Sequence, residues 1–148
     1  RAVLIKINSI HFLSDKNVEH YKKIALLTDY VTDAYNEVKK YNLEHNIDKS
    51  LLINGRNLTN FGMFRKYLDE YLKQHPQINQ KLLFMSRQLQ PTANGIPLEI
   101  YAFSKNKSWL AYEGDMADIF DHILASIKYF NLEVFENPTG ADILTIKK

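Results

Sequence analysis

Cysteine is absent from the 148 residues, which removes disulfides and thiolate metal ligands and leaves a reducing compartment acceptable. No apolar run approaches the roughly 20 residues that a membrane-crossing helix needs. No charged-then-apolar leader opens the chain either, since Arg1 runs straight into Ala2-Val3-Leu4-Ile5. A first residue other than Met predicts a piece cut from a longer protein, and such a piece can come from a membrane protein. An excess of one charge sign is also lacking. Nineteen Lys and Arg against seventeen Asp and Glu leave +2, interspersed along the chain, so no nucleic-acid footprint is expected. Neither a G-x-S-x-G setting nor a Gly-rich loop after a strand occurs, which excludes the nucleophile-elbow and phosphate-cradle motifs.

What is present reads as one domain spanning 1–148, long enough to bury a proper core. Lys6 and Asn8 alternate with Ile5, Ile7 and Ile10, so residues 2–13 are expected to form a strand. Ser14-Asp15 offers a helix cap. Tyr21, Ile24, Leu27, Tyr30 or Val31, Ala34, Val38 and Tyr41 then recur at steps of three and four, predicting one long amphipathic helix. Residues 42–54 read as a connection around Leu51-Leu52-Ile53, with a turn at Asn54-Gly55. Thr59 or Asn60 caps a second helix with Phe61, Phe64, Tyr67 or Leu68, and Tyr71 or Leu72 inward, which must stop before Pro76.

Residues 82–90 and 96–104 are strand-like, and Asn94-Gly95 between them signals a hairpin. A third helix is expected over residues 109–130, with Met116, Ile119, Phe120, Ile123, Leu124, Ile127 and Phe130 on one face. Leu132, Val134 and Phe135 predict a short strand before Pro138-Thr139-Gly140, and the tail 143–146 one more. The expected architecture is α+β: a ferredoxin-like βαββαβ sandwich with an extra helix inserted after the first helix.

Chemistry-bearing constellations are sparse. Asp118 and His122, at i and i+4, share a helix face and could hold a divalent metal. A metal needs three or four ligands, however, and no partner motif occurs, so a surface pair is the simpler expectation. Glu99, Glu113 and Asp115 could supply an acid–base pair. The last two lie near an expected helix start, where negative charge suits the dipole. Nine tyrosines raise the prospect of base stacking on a sheet, but most fall on helix stripes where core packing is the default. Arg56, Arg65 and Arg87 stand apart. Arg87 interrupts an apolar strand between Met85 and Leu89, so its side chain must reach solvent, a carboxylate or another subunit.

From residue 57 to 140 the residues also resemble the C-terminal domain of the small-conductance mechanosensitive channel family. The resemblance is carried by Thr59-Asn60-x-Gly62-x-Phe64-Arg65-x-Tyr67-Leu68, His75-Pro76-x-Ile78 and Arg87-Gln88-Leu89-x-Pro91-Thr92. It continues through Gly95-x-Pro97-Leu98-Glu99-Ile100-Tyr101-x-Phe103, Trp109-x-x-Tyr112-Glu113, Asp118-Ile119-Phe120-Asp121-His122 and Phe135-x-x-Pro138-Thr139-Gly140. The start, Ile7-Asn8-Ser9-Ile10-x-Phe12, is similar to the strand that opens this domain in the miniconductance branch. Residues 17–50 carry no matching motif, and Gly114 stands where similar proteins keep an uninterrupted helix.

The resemblance implies a homoheptameric channel of the bacterial inner membrane, anchored through a missing N-terminal region. This domain would form the lower wall of a cytoplasmic cage, and membrane tension would release ions and small osmolytes on hypo-osmotic shock. It implies no catalysis, cofactor or nucleic-acid partner. It makes Arg65, Arg87 and Glu99 candidates for inter-strand or inter-subunit pairing, and Asn94-Gly95 a portal or rim loop. The competing expectation is a free-standing ferredoxin-like module that binds a small ligand or a partner protein; a hydrolase using Glu99 or Asp118 with His122 is a third.

Overall fold

The computed structural model describes residues 1–146. Its strands are β1 (Ala2–Ile5), β2 (Met85–Gln88) and β3 (Ile96–Tyr101). Its helices are α1 (Asp15–Tyr21), α2 (Thr28–Glu44), α3 (Asn60–Gln74), α4 (Trp109–Ser126) and α5 (Gly140–Ile146). Short 3-10 turns cover Ile7–Ser9 and Ile127–Phe130. None of these helices is long and apolar enough to cross a membrane.

The sheet is antiparallel with β3 central, in the order β1-β3-β2. Ala2 faces Glu99 and Ile5 faces Ile96 on one side, while Met85 faces Tyr101 and Gln88 faces Leu98 on the other. Period-two alternation sends Val3 and Ile5, and then Ile96, Leu98 and Ile100, to one buried face. Helical residues complete that core: Phe61, Phe64, Leu68 and Leu72 of α3, and Met116, Ile119 and Ile123 of α4. At the free edge of β1, Lys6 N–H donates to the Glu133 carbonyl (2.8 Å) and Phe135 N–H to that of Leu4 (2.9 Å). The strand expected at residues 132–135 is thus present as a single antiparallel bridge, Ile5 to Val134.

Several elements are shorter than the sequence pattern predicts, or different in kind. The first strand ends at Ile5. Beyond it Ser9 is turned inward, its hydroxyl donating to the Lys6 carbonyl (2.6 Å) and accepting from Glu133 N–H (3.0 Å). The two hairpin strands are trimmed to 85–88 and 96–101.

The single helix expected from Asp15 to Tyr41 is two. Ser14 opens the first with a reciprocal capping box to Asn17. The chain then bends after Tyr21, and Thr28 Oγ1 secures the bend by donating to the Lys22 carbonyl (2.8 Å). Tyr21, Leu27 and Val31 are all fully buried; the bend brings each to the core, which a straight helix over steps of three and four would not need. Tyr21 stacks on Phe130 (5.5 Å, 15°) and donates to its carbonyl (3.0 Å). Burial pushes this phenol up to about 12.

The tail expected as a strand is the helix α5. Thr139 and Asp142 explain it: Thr139 N–H donates to Asp142 Oδ2 (2.7 Å) and Asp142 N–H to Thr139 Oγ1 (3.4 Å), a capping exchange. No α5 side chain is buried.

Candidate functional site

The hairpin brings together two residues singled out from sequence. Arg87 on β2 faces Glu99 on β3, and its Nε and a terminal guanidinium nitrogen both donate to Glu99 Oε1 at 2.9 and 2.8 Å. The long basic side chain on an apolar strand is therefore answered within its own chain. With side chains 52% and 24% exposed, the pair is worth about 0.2–1 kcal/mol. Arg65 lies elsewhere, exposed on α3, its guanidinium 5.9 Å from the Phe61 ring centroid. Its backbone carbonyl accepts from Ser86 Oγ (3.1 Å), and Asp69 accepts from Ser86 N–H (3.0 Å), which ties α3 to the outer edge of β2.

Asn94 and Gly95 have separate fates. Asn94 is exposed within the tight turn from Thr92 to Gly95. Gly95 is buried at φ +105, where a Cβ would stand 2.5 Å from the Ile5 carbonyl oxygen. Glycine is required there both for its dihedral and for the close approach of β1.

The opposite end of the hairpin is apolar and uncovered. Asn79 N–H donates to the Phe103 carbonyl (2.7 Å), while Met85 pairs with Tyr101. Residues 80–84 lie between these two pairings: Phe84 packs on the core and Gln80 Nε2 donates to the Leu72 carbonyl (3.0 Å), while Leu82 and Leu83 are left exposed. Leu82 and Leu83 are 47% and 64% exposed, and Trp109 and Leu110 at the start of α4 are 75% and 76% exposed. Tyr101 and Phe103, an edge-to-face pair at 5.3 Å, lie between these two segments in the chain. This feature was not legible in the sequence, where Leu82 and Leu83 open the strand-like run of residues 82–90.

Of the polar candidates for chemistry, Glu99, Glu113, Asp115 and His122 have partners. Asp115 accepts from Ser104 Oγ (2.8 Å) and Asn106 Nδ2 (2.7 Å), bonds that hold its carboxyl below the usual range. Glu113 is bonded by Arg1. Neither acid lies in the first turn of α4, which has no acidic residue, so the helix-dipole reading of these two is corrected. His122 does not pair with Asp118. Its Nε2 lies 2.6 Å from the Tyr67 hydroxyl, and its ring lies parallel to that of Tyr71 at 4.1 Å. His75, one turn beyond Tyr71 on α3, meets that tyrosine edge-on at 5.5 Å. Desolvation in this stack, and then the nearby His75, lower the His122 pKa. Among the described residues no group of three or more metal-ligating side chains converges.

No family model matches the chain.

Proposed function

We propose that this chain is an assembly domain, the cytoplasmic cage wall of a tension-gated channel of the bacterial inner membrane. In this reading it is ferredoxin-like, and residues 133–135 are a fourth strand reduced to one bridge, giving the order 4-1-3-2 across the sheet. The extra helix of that reading is α2, set between α1 and α3. The observation that carries the reading is the exposure of four large apolar side chains, Leu82 and Leu83 beyond the hairpin and Trp109 and Leu110 at the start of α4. Exposed apolar side chains mark interfaces when they gather into a patch, and in this reading a second copy of the chain covers them. The ordered motifs over residues 57–140 supply the family, and the engaged state of Glu99, Glu113 and Asp115 is in keeping with a structural role. Arg87 and Glu99 serve the hairpin from within, and Asn94 is free to line a portal.

Expression of the complete gene product in a bacterium stripped of its tension-gated channels provides the test. Survival of hypo-osmotic shock and tension-activated currents in membrane patches are the expected outcome. A complete protein that reaches the membrane and yields neither would reject the channel assignment, as would a gene with no apolar spans ahead of Arg1.

A further inference from the structure

A hollow lies beside α2, lined in part by residues of the stretch that matches no motif. It has a volume of about 600 Å³ and is walled by the start of α1, the middle of α2 and the loop of residues 45–59. Leu13, Val38, Ile47 and Leu52 make its apolar lining. That volume falls within the roughly 300–1,000 Å³ typical of ligand sites, which are largely apolar with a few placed polar groups.

The loop wall is braced from within. Lys49 Nζ donates to the carbonyls of Leu52 (2.9 Å), Asn54 and Arg56 (3.3 Å). Asn42 grips Arg56 with both ends of its amide, donating to the carbonyl (3.0 Å) and accepting from the N–H (2.9 Å). Asn57 Nδ2 donates to the Leu13 carbonyl (3.1 Å), which closes the wall onto α1. A structureless loop of this length is uncommon in a compact domain unless it serves a function. Here polar side chains hold it over an apolar lining instead of letting it collapse.

The charges at the rim select an occupant. Asp15 is already engaged by the Tyr35 hydroxyl. Lys39 lies over the Tyr35 ring at 4.7 Å, and among the described residues it has no carboxylate within ion-pair distance. Lys49 adds a second positive charge in the wall. We propose that the hollow binds an amphipathic monocarboxylate, its hydrocarbon body against Val38, Ile47 and Leu52 and its carboxylate on Lys39. A cationic amphiphile of equal size would meet two lysines with only one acid to oppose them.

Isothermal titration calorimetry on the 148-residue chain tests this, with decanoate below its micellar concentration and decyltrimethylammonium as the cation of matching length. Decanoate is expected to bind saturably at one site, and the cation more weakly. Lys39→Gln, at an exposed position, should weaken decanoate roughly fivefold, as removal of one exposed charge contact predicts. Val38→Trp, which fills the hollow, should abolish binding of both, with circular dichroism checking that the variant is folded. Leu83→Ser, outside the lining, should leave binding unchanged. No saturable decanoate binding, equal affinity for the two amphiphiles, unchanged decanoate affinity in Lys39→Gln, or loss of binding in Leu83→Ser would each overturn the proposal. If Val38→Trp does not fold, the Lys39→Gln and Leu83→Ser arms decide.

Discussion

Asn60 lies where α3 begins, fully buried beside the 3-10 turn of residues 7–9, and its amide serves four backbone groups. Nδ2 donates to the carbonyls of Ser9 (2.8 Å) and Phe130 (3.0 Å), and Oδ1 accepts from the N–H groups of His11 and Phe61, both at 2.9 Å. One side chain thereby joins the N-terminal segment, α3 and the end of α4. Asn60→Ala strands these groups without water, so a loss of about 2–4 kcal/mol is expected, read as a lower urea midpoint at unchanged slope. His122 gives a residue-scale pH dependence. Tyr67, Tyr71 and His75 face it from α3, and Asp118 lies near Tyr71 on its own helix. Its folded pKa lies below the ordinary 6.5, so the unfolded chain binds this proton more readily. The stability it contributes is complete above about pH 6.5 and falls as the pH drops through the folded value. Urea melts at pH 7.5 and 5.5 should show that loss in the parent chain and a smaller one in His122→Gln; identical losses would remove the role.

At the scale of elements, two glycines have opposite meanings. Gly114 lies inside α4 with nothing within 4 Å of where a Cβ would be, whereas Gly95 has the Ile5 carbonyl in the way. Gly114→Ala is expected to stabilise the chain by about 0.5–1 kcal/mol, through helix propensity alone. Gly95→Ala should destabilise it by about 1–3 kcal/mol, through its dihedral and the contact with β1. Thermal melts of the two variants moving the same way would contradict this. The remaining elements show how far periodicity reaches. The cap at Ser14, the start of α3 at Thr59, its stop before Pro76 and the inward face of α4 were all legible, because each depends on residues within a turn of one another. The bend after Tyr21 was not. Its cause is Tyr21 reaching Phe130, more than a hundred residues away, and no local pattern encodes that contact. The tail was misread from Ile143 to Ile146 because apolar content outweighed the Thr139–Asp142 capping pair just before it.

For the whole molecule, the question is what covers the apolar end of the hairpin. The channel reading predicts that the isolated domain stays monomeric in gel filtration at micromolar concentration, since the avidity of linked membrane segments is missing. In the complete protein, a lysine-reactive cross-linker should give a ladder that stops at seven subunits, and Leu83→Glu, which puts a charge into the proposed contact, should shorten it. A ladder that stops at two would point to a different assembly, and an unchanged ladder in Leu83→Glu would leave Leu83 outside any interface. The Arg87–Glu99 pair belongs to this scale as well. In the channel reading, its closure within one chain leaves contact between copies to the apolar side chains, so Arg87→Glu should affect the hairpin more than assembly.

The sequence by itself determined that the chain is α+β, where α1, α3 and α4 begin and α3 stops, that its two hairpin strands pair around a Gly95 turn, and that the chain has no thiol and no phosphate-cradle motif. These follow from composition and from spacings of a few residues, which act through local sterics and capping. Tertiary structure alone decided that Arg87 meets Glu99, that His122 stacks on Tyr71 instead of pairing with Asp118, and that Asn60 is a buried hub. It also decided that Leu82 and Leu83 are exposed and that residues 45–59 close a hollow against α1 and α2. Each of these depends on which distant segments share the core, and that is settled only when the buried faces of sheet and helices close on one another.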